Sequence, residues 1–391
     1  MIELLSPAGD LEKLKIAFLY GADACYVGGK KYSLRANANN FSDEDLKEAT
    51  LFAHKLGKKI YVTCNIVFHN EDIEGILDYL KYLEKIKVDA IIVSDPLIID
   101  LVHDNNIELE IHLSTQNCTT NLESVKYFLD RGVKRIVLAR EVGKCDIEKI
   151  IKETGADIEV FLHGAMCTCY SGRCALSNYF TLRDSNRGGC SQVCRFSFDL
   201  DKKRKTDYSI ATCDLSLGSA IPDLIDIGVK SIKVEGRMRS SYYIATVISC
   251  YRKLIDAYYN NSFDKKLLER VNIVLDRVAN RRSTTQYFYK DADKDDQYYI
   301  GRKEESNQDF LGIIKGYDFE NKMLVIEQRN YFKLGDTINI FTPAGKEYNI
   351  KIEKLYTEDL TPLECARHPR EIIKIPYENE IDVNSYIRAT F

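Results

Sequence analysis

The sequence holds no apolar run long enough to cross a bilayer, no surplus of positive charge and only seven prolines in 391 residues. A membrane helix needs roughly 18 or more consecutive apolar residues, and no segment approaches that length. The opening stretch MIELLSPAGDLEKLK has no basic region followed by a long apolar one, so it does not read as an export signal; the expected location is cytoplasmic. A formal net charge of −4 gives no global attraction for phosphate backbones. Any nucleic-acid contact must therefore come from a local basic patch. With 45% hydrophobic and 29% charged residues the chain is neither collagen-like nor disordered. It also lacks H-E-x-x-H, a G-x-S-x-G elbow and an aspartic dyad signature, which leaves the common hydrolase chemistries poorly supported.

What is present is an alternation. Eight short β-branched runs recur in order: IELLSPAG, ADACYVGG, KKIYVTCN, VDAIIVSD, LEIHLSTQ, VKRIVLAR, IEVFLHGA and SIKVEGR. Between them, stretches such as SDEDLKEATLFAHKLG and NLESVKYFLDRG space apolar residues three and four apart and end in glycine, as helix C-termini do. Eight βα units in roughly 260 residues predict an α/β fold of the (β/α)₈ TIM-like barrel type, whose usual size is about 250. The reading places this barrel at residues 1–262, with a long cysteine-rich insertion after strand seven at 166–218. A polar connector follows at 263–305. From 306 to 391, strand-and-turn patterns such as LGIIKGYDFENKMLVIEQ predict a small all-β, barrel-like C-terminal domain.

Barrel enzymes keep their chemistry at the C-terminal ends of the strands. The polar residues there are Asn65, Asp95, Ser114 to Gln116, Arg140 with Glu141, His163, and Glu235 with Arg237. His163, Glu235 and Arg237 are the candidate catalytic groups. Asn65, Gln116 and Arg140 are the candidate substrate contacts.

Twelve cysteines in a chain of cytoplasmic type do not form a disulfide framework, because that compartment keeps thiols reduced. Cys25, Cys64 and Cys250 sit in apolar runs and read as small hydrophobes. Five others crowd the stretch His163–Phe196. Cys167, Cys174, Cys190 and Cys194 are spaced to complete a tetrahedral site of four sulfurs, with Cys169 as an extra, and both zinc and an iron–sulfur cluster accept that geometry. Structural zinc sites usually show two close pairs, and here only Cys190 and Cys194 form one. Arg173, Arg183, Arg187 and Arg195 would offset a negatively charged cluster or grip RNA phosphates. A thiol nucleophile, Cys167 or Cys174 with His163 as base, would leave the remaining cysteines without a role. The basic run Asp201 to Lys205 and the stretch RRSTTQYFY, Arg281 to Tyr289, pair cations with stackable rings in the manner of single-stranded RNA sites.

EVFLHGAMCTCYSGRCALS followed by NRGGCSQVCR resembles the signature of the collagenase-like proteins, filed as U-type peptidases of unassigned mechanism. ELLSPAGDLEKLKIAFLYGADACYVGG, SLRANANNF and KVEGRMRS resemble the same family, so the likeness spans most of residues 1 to 260. Within it the chain looks most like the tRNA hydroxylation proteins. That resemblance implies iron–sulfur-dependent hydroxylation of wobble uridine to 5-hydroxyuridine, with peptidase action or ribosomal RNA hydroxylation as alternatives. It implies a [4Fe–4S] cluster on Cys167, Cys174, Cys190 and Cys194, zinc being the alternative metal and Cys169 and Cys213 the reserve ligands. It implies tRNA as partner, a hydroxyl donor linked to prephenate metabolism, a paralogous subunit and no membrane. The substrate contacts it suggests are Arg35, Asn65, Gln116, Arg140, Arg173, Arg187 and Arg195. The family generally has glycine and phenylalanine after the paired threonines, where this chain has Gln286 and Tyr287.

Overall fold

The computed structural model describes residues 1–34, 39–199, 208–279, 281–298 and 309–390. Eight strands form its centre: β1 (Glu3–Pro7), β2 (Ala24–Gly28), β3 (Lys59–Cys64), β4 (Ala90–Val93), β5 (Glu110–Leu113), β6 (Arg135–Val137), β7 (Asp157–Gly164) and β8 (Ser231–Val234). Each pairs in parallel with the next, and Ser231 of β8 is in register with both Glu3 of β1 and Glu159 of β7, so the sheet closes. All eight runs expected from the sequence are strands of this barrel.

Eight helices follow the eight strands: α1 (Leu11–Leu19), α2 (Asp43–Lys55), α3 (Ile76–Lys85), α4 (Pro96–Asp104), α5 (Leu122–Asp130), α6 (Lys144–Thr154), α7 (Ile221–Asp226) and α8 (Ser241–Tyr259). Their starts are written locally. Asp10, Asn121 and Ser240 each accept a backbone N–H of the first turn, and Ser42 and Asp45 cap α2 reciprocally.

The two-residue period of the strands sorts their side chains. Leu4, Cys25, Val27, Ile60, Val62, Cys64, Ile91 and Val93 pack outward with the helices in one large core. Leu5, Ala24, Tyr26, Tyr61, Ala90 and Ile92 form a separate cluster inside the cylinder. Cys25, Cys64 and Cys250 are buried apolar fillers, as expected.

Beneath the inner apolar layer lies a charged one. Arg135 reaches Glu3 at 2.5 Å, Asp157 at 2.9 Å and Glu159 at 3.4 Å, while Lys233 pairs with Glu159 at 2.8 Å. Glu159 is fully enclosed; burial opposes its charge, yet the Lys233 and Arg135 cations hold it below the usual carboxylate range.

The C-terminal residues form a seven-stranded antiparallel sheet. Its main strands are β9 (Phe310–Asp318), β10 (Met323–Gln328), β11 (Thr337–Phe341), β12 (Glu347–Lys351), β13 (Ile372–Pro376) and β14 (Tyr386–Ala389), with β9 flanked by β14 and β10. This all-β domain has its own core, including Leu311, Ile326, Ile340 and Ile373. It packs on the barrel through Tyr242, whose ring stacks on Phe310 at 4.5 Å, and through Tyr20, which donates to the carbonyl of Asn384 at 2.9 Å.

The segment read as a connector is folded onto the barrel as far as it is described. Residues Lys265–Val278 form a further helix, α9, which buries Val271, Val274, Leu275 and Val278. Ser283–Thr284 adds a strand beside Asp214–Ser216. The amphipathic spacing of KKLLERVNIVLDRV is the signal for α9 that a polarity scan of this segment overlooks. The boundary expected near residue 305 lies outside the described residues, as does the basic run Asp201 to Lys205. No helix among the described residues is long and apolar enough to cross a membrane.

Candidate functional site at the barrel mouth

The C-terminal ends of the strands enclose a pocket lined by Thr63 and Asn65 of the β3 end, Ser114 and Gln116 after β5, Arg140 after β6, Phe161 of β7, and Lys233, Glu235 and Arg237 at β8. Five residues singled out from the sequence, Asn65, Gln116, Arg140, Glu235 and Arg237, therefore meet there. Asn65 donates to the Ser114 hydroxyl at 3.2 Å. Arg140 lies 3.9 Å over the Phe161 ring and donates to the carbonyl of Ala165 at 3.2 Å. Arg237 is buried and donates to Ser33 Oγ at 2.8 Å and Thr63 Oγ1 at 3.2 Å. It fits because Gly28 has no Cβ: one built there would collide with the Arg237 guanidinium and Ser33.

Sequence reasoning missed Lys233, the floor of this pocket. Its ammonium lies 4.4 Å over the Tyr26 ring and is enclosed, so burial draws its proton affinity below the usual lysine range. The available signal was a single charged residue standing in an otherwise apolar strand, as in IEV and IKV.

His163, expected among the catalytic groups, does not line this pocket. The pairing of β7 with β8 slips between Lys233 and Val234, where the partners step from Phe161 to His163. His163 is buried with its Nδ1 3.0 Å from the Tyr251 hydroxyl of α8. Burial lowers its pKa to about 3, so the ring is neutral and spoken for.

The excursion after β7 crosses the mouth and is pinned there. Glu141 accepts hydrogen bonds from the Ser171 N–H at 2.6 Å and its hydroxyl at 2.5 Å, and Arg173 Nε donates to the carbonyl of Gln116 at 2.6 Å. Arg173 also lines an adjoining cavity with Cys174, Asn186, Asn117 and Asp95. Arg187 is held by Asp72, to which it is bidentate, and by the Val67 carbonyl at 3.0 Å, so it fastens the excursion to the β3 end. Arg195 donates to Gln192 at 2.7 Å. Arg35 lies outside the described residues.

The excursion gathers the thiols. Cys169 is hydrogen-bonded with Cys174 and within electrostatic reach of Cys167 and Cys194; burial and these neighbours push it up to about 12. Burial opposes ionisation of Cys174 too, but the N–H groups of Ser177 and Leu176 and the thiol and hydroxyl of Cys169 and Ser185 lower its pKa. Cys194 feels Cys167 and Cys190, and the exposed Cys190 sulfur accepts the Gln192 N–H at 3.4 Å. Among the described residues no three His, Cys, Asp or Glu side chains come close enough to hold a metal ion as they stand. The donor set is nonetheless all sulfur and carried by one loop, chemistry that both zinc and iron–sulfur clusters accept.

Gln286 is buried beneath the excursion and donates to the Cys213 carbonyl at 2.9 Å. Its φ of 48° lies in the left-handed region, a conformation that glycine adopts without strain.

A closed parallel barrel with polar groups converging at its strand ends, roofed by a thiol-bearing excursion, is the architecture of a (β/α)₈ enzyme. More narrowly, the chain belongs to peptidase family U32: the family description matches residues 9–298, and that of the peptidase family U32 C-terminal domain matches residues 306–388. It is 42% identical to tRNA hydroxylation protein P1 of Bacillus subtilis (strain 168), over 99% of this chain and 94% of that one. It is 40% identical to the 23S rRNA 5-hydroxycytidine C2501 synthase of Escherichia coli (strain K12), over 66% of this chain and 39% of that one. It is 30% identical to a collagenase of Porphyromonas gingivalis, over 97% of this chain and 95% of that one.

Proposed function

We propose that this chain is an RNA-modifying hydroxylase acting on tRNA, placing a hydroxyl group on C5 of the wobble uridine. The observation that carries the reading is its 42% identity, across 99% of its length, to a protein named for tRNA hydroxylation. The geometry of the mouth supports it. Asn65 and Gln116 offer amide donors and acceptors for the edge of a flipped-out base. Replacing C5–H by C5–OH is a two-electron oxidation, so the co-substrate that supplies the hydroxyl oxygen must reach the base in this pocket and leave it reduced by two electrons. Arg140 and Arg237, above the Lys233–Glu159 pair, give the pocket cationic groups suited to a small carboxylate, and we assign the donor to that class, linked to prephenate metabolism. Glu235 is the acceptor for the proton lost from C5. The Arg140–Phe161 stack and the Glu141-pinned excursion border the space where the base would sit.

Cys167, Cys174, Cys190 and Cys194 would hold a [4Fe–4S] cluster, which supplies single-electron transfer when bound; zinc on the same thiols is the alternative. The collagenase relative brings peptidase action as a second reading. The neutral His163, bonded to Tyr251 rather than to a thiol, weighs against a cysteine–histidine nucleophile.

The test is mass spectrometry of tRNA nucleosides from a strain lacking this gene, with and without the gene restored. Loss and recovery of 5-hydroxyuridine-derived nucleosides is expected, and unchanged levels in a strain with no second copy overturn the reading. Oxygen-free purification followed by iron, sulfide and zinc analysis tests the cofactor separately.

A further inference from the structure

The cysteine-bearing excursion carries one short helix, Leu176–Thr181, and that helix is built inside out. A surface helix ordinarily turns its apolar side inward and its polar side to water. Here the polar residues face in. Ser177 is buried and accepts the Ser191 N–H at 3.1 Å, and the Thr181 hydroxyl, one turn on, lies 2.7 Å from that of Ser191. The apolar residues face out. Tyr179 is 85% exposed and Leu182, three positions on, is 95% exposed, the two highest values for large apolar side chains among the described residues. Phe180 between them is 58% exposed and meets Phe198 edge-on at 5.8 Å. Arg183, also exposed, closes the patch. Leu182 is held at a φ of 54°, in the left-handed region, which a leucine adopts only at a cost.

The position of the helix points to what covers it. Arg173, three residues before it, is fixed to the Gln116 carbonyl at the mouth at 2.6 Å, and Tyr179, six residues further on, sits no more than about 22 Å from that anchor. A target uridine drawn into the pocket leaves its neighbours in the strand unstacked. Exposed rings and apolar wedges beside an arginine are the side chains that restack such bases, and one ring suffices for one base. A protein partner needs more. Stable interfaces bury roughly 800 Å² per side, and three side chains of at most about 250 Å² each fall short of it. We propose that Tyr179, Phe180 and Leu182 form a stacking platform for the unpaired bases that flank the target uridine, with Arg183 on an adjoining phosphate. This role rests on the tRNA reading above and adds the surface that holds the rest of the anticodon loop.

The test is fluorescence titration of the full chain with a tRNA anticodon hairpin carrying 2-aminopurine next to the wobble uridine. Stacking quenches this base analogue, so the native chain should bind the hairpin saturably and quench it. Tyr179→Ala and Leu182→Asn, both at exposed positions, should each weaken binding about tenfold and remove most of the quenching, while Tyr179→Phe keeps both. Asparagine tolerates the left-handed backbone at 182, so that variant keeps the fold. The loss in Tyr179→Ala should change little with salt, whereas that in Arg183→Ala should shrink as salt rises. If Tyr179→Ala and Leu182→Asn bind and quench the hairpin as the native chain does, the platform is overturned and the tRNA reading stands. Absence of hairpin binding by the native chain overturns both. A native dimer that either variant converts to a monomer in sedimentation assigns the patch to a second copy of the chain and overturns the platform.

Discussion

Lys233→Met is the sharpest probe of the charged layer inside the barrel. Lys233 Nζ sits 2.8 Å from Glu159, and with the ammonium gone the ion pair left to the enclosed carboxylate among the described residues is that with Arg135 at 3.4 Å. Methionine replaces the lysine stem without its charge, so packing is largely kept and the loss is electrostatic. Breaking a buried pair from one side costs about 3–5 kcal/mol, and the remaining arginine puts this case near 3. That is a large share of the roughly 5–15 kcal/mol by which domains are stable. Adding Glu159→Leu removes the stranded charge, so the double variant should be more stable than the sum of the singles by about 2 kcal/mol. Urea denaturation of the four proteins at constant m measures both quantities. Acid offers a second check on sign. Because Glu159 ionises more readily in the folded protein than unfolded, its contribution is present above the unfolded carboxylate pKa and is lost as pH falls through the folded value. The gap between wild type and Glu159→Leu should therefore narrow under acid. A single-variant cost under about 1 kcal/mol, or strict additivity in the double, refutes the reasoning.

Three further outcomes are expected. His163 is neutral in the fold, with a pKa of about 3 against 6.5 unfolded, so the unfolded chain takes up a proton first on acidification. The native protein should lose about 1.4 kcal/mol per pH unit through that window from this group, and denaturation curves of His163→Gln should lack the slope. Gly28→Ala puts a methyl group where the Arg237 guanidinium lies, so circular dichroism should report a folded barrel while substrate affinity falls about tenfold or more. Affinity equal to wild type would show that Arg237 is not a substrate contact. Glu141→Ala removes both hydrogen bonds that pin Ser171, and limited proteolysis should then cut within residues 165–199 several-fold faster, with the barrel intact.

The placement of the pocket was legible because it follows a local rule. A polar residue directly after an apolar, β-branched run lies at a strand's C-terminal end, and Asn65, Gln116, Arg140, Glu235 and Arg237 obey that rule without any tertiary information. His163 obeys the same rule in sequence and fails it in space. The β7–β8 register slip, which depends on the partner strand, turns its ring toward Tyr251. Arg187 was grouped with the cysteines by proximity in the chain, yet its charge is taken by Asp72, which only the folded excursion brings near. Lys233 looked like an ordinary polar interruption until the closed cylinder surrounded it.

By itself, then, the sequence determined what short-range physics can encode: the strand runs, the helix caps at Asp10, Ser42, Asn121 and Ser240, the inert cysteines in apolar runs, and the cluster of thiols on one excursion. Only the tertiary structure decided which charges meet. Glu3 joins Ser231 and Arg135 because the sheet closes, and Lys253, Arg270 and Arg388 surround Glu347 because two domains pack together. Side-chain periodicity is a property of a segment, whereas the partner of a buried charge is set by chain closure between residues from about 40 to more than 200 positions apart.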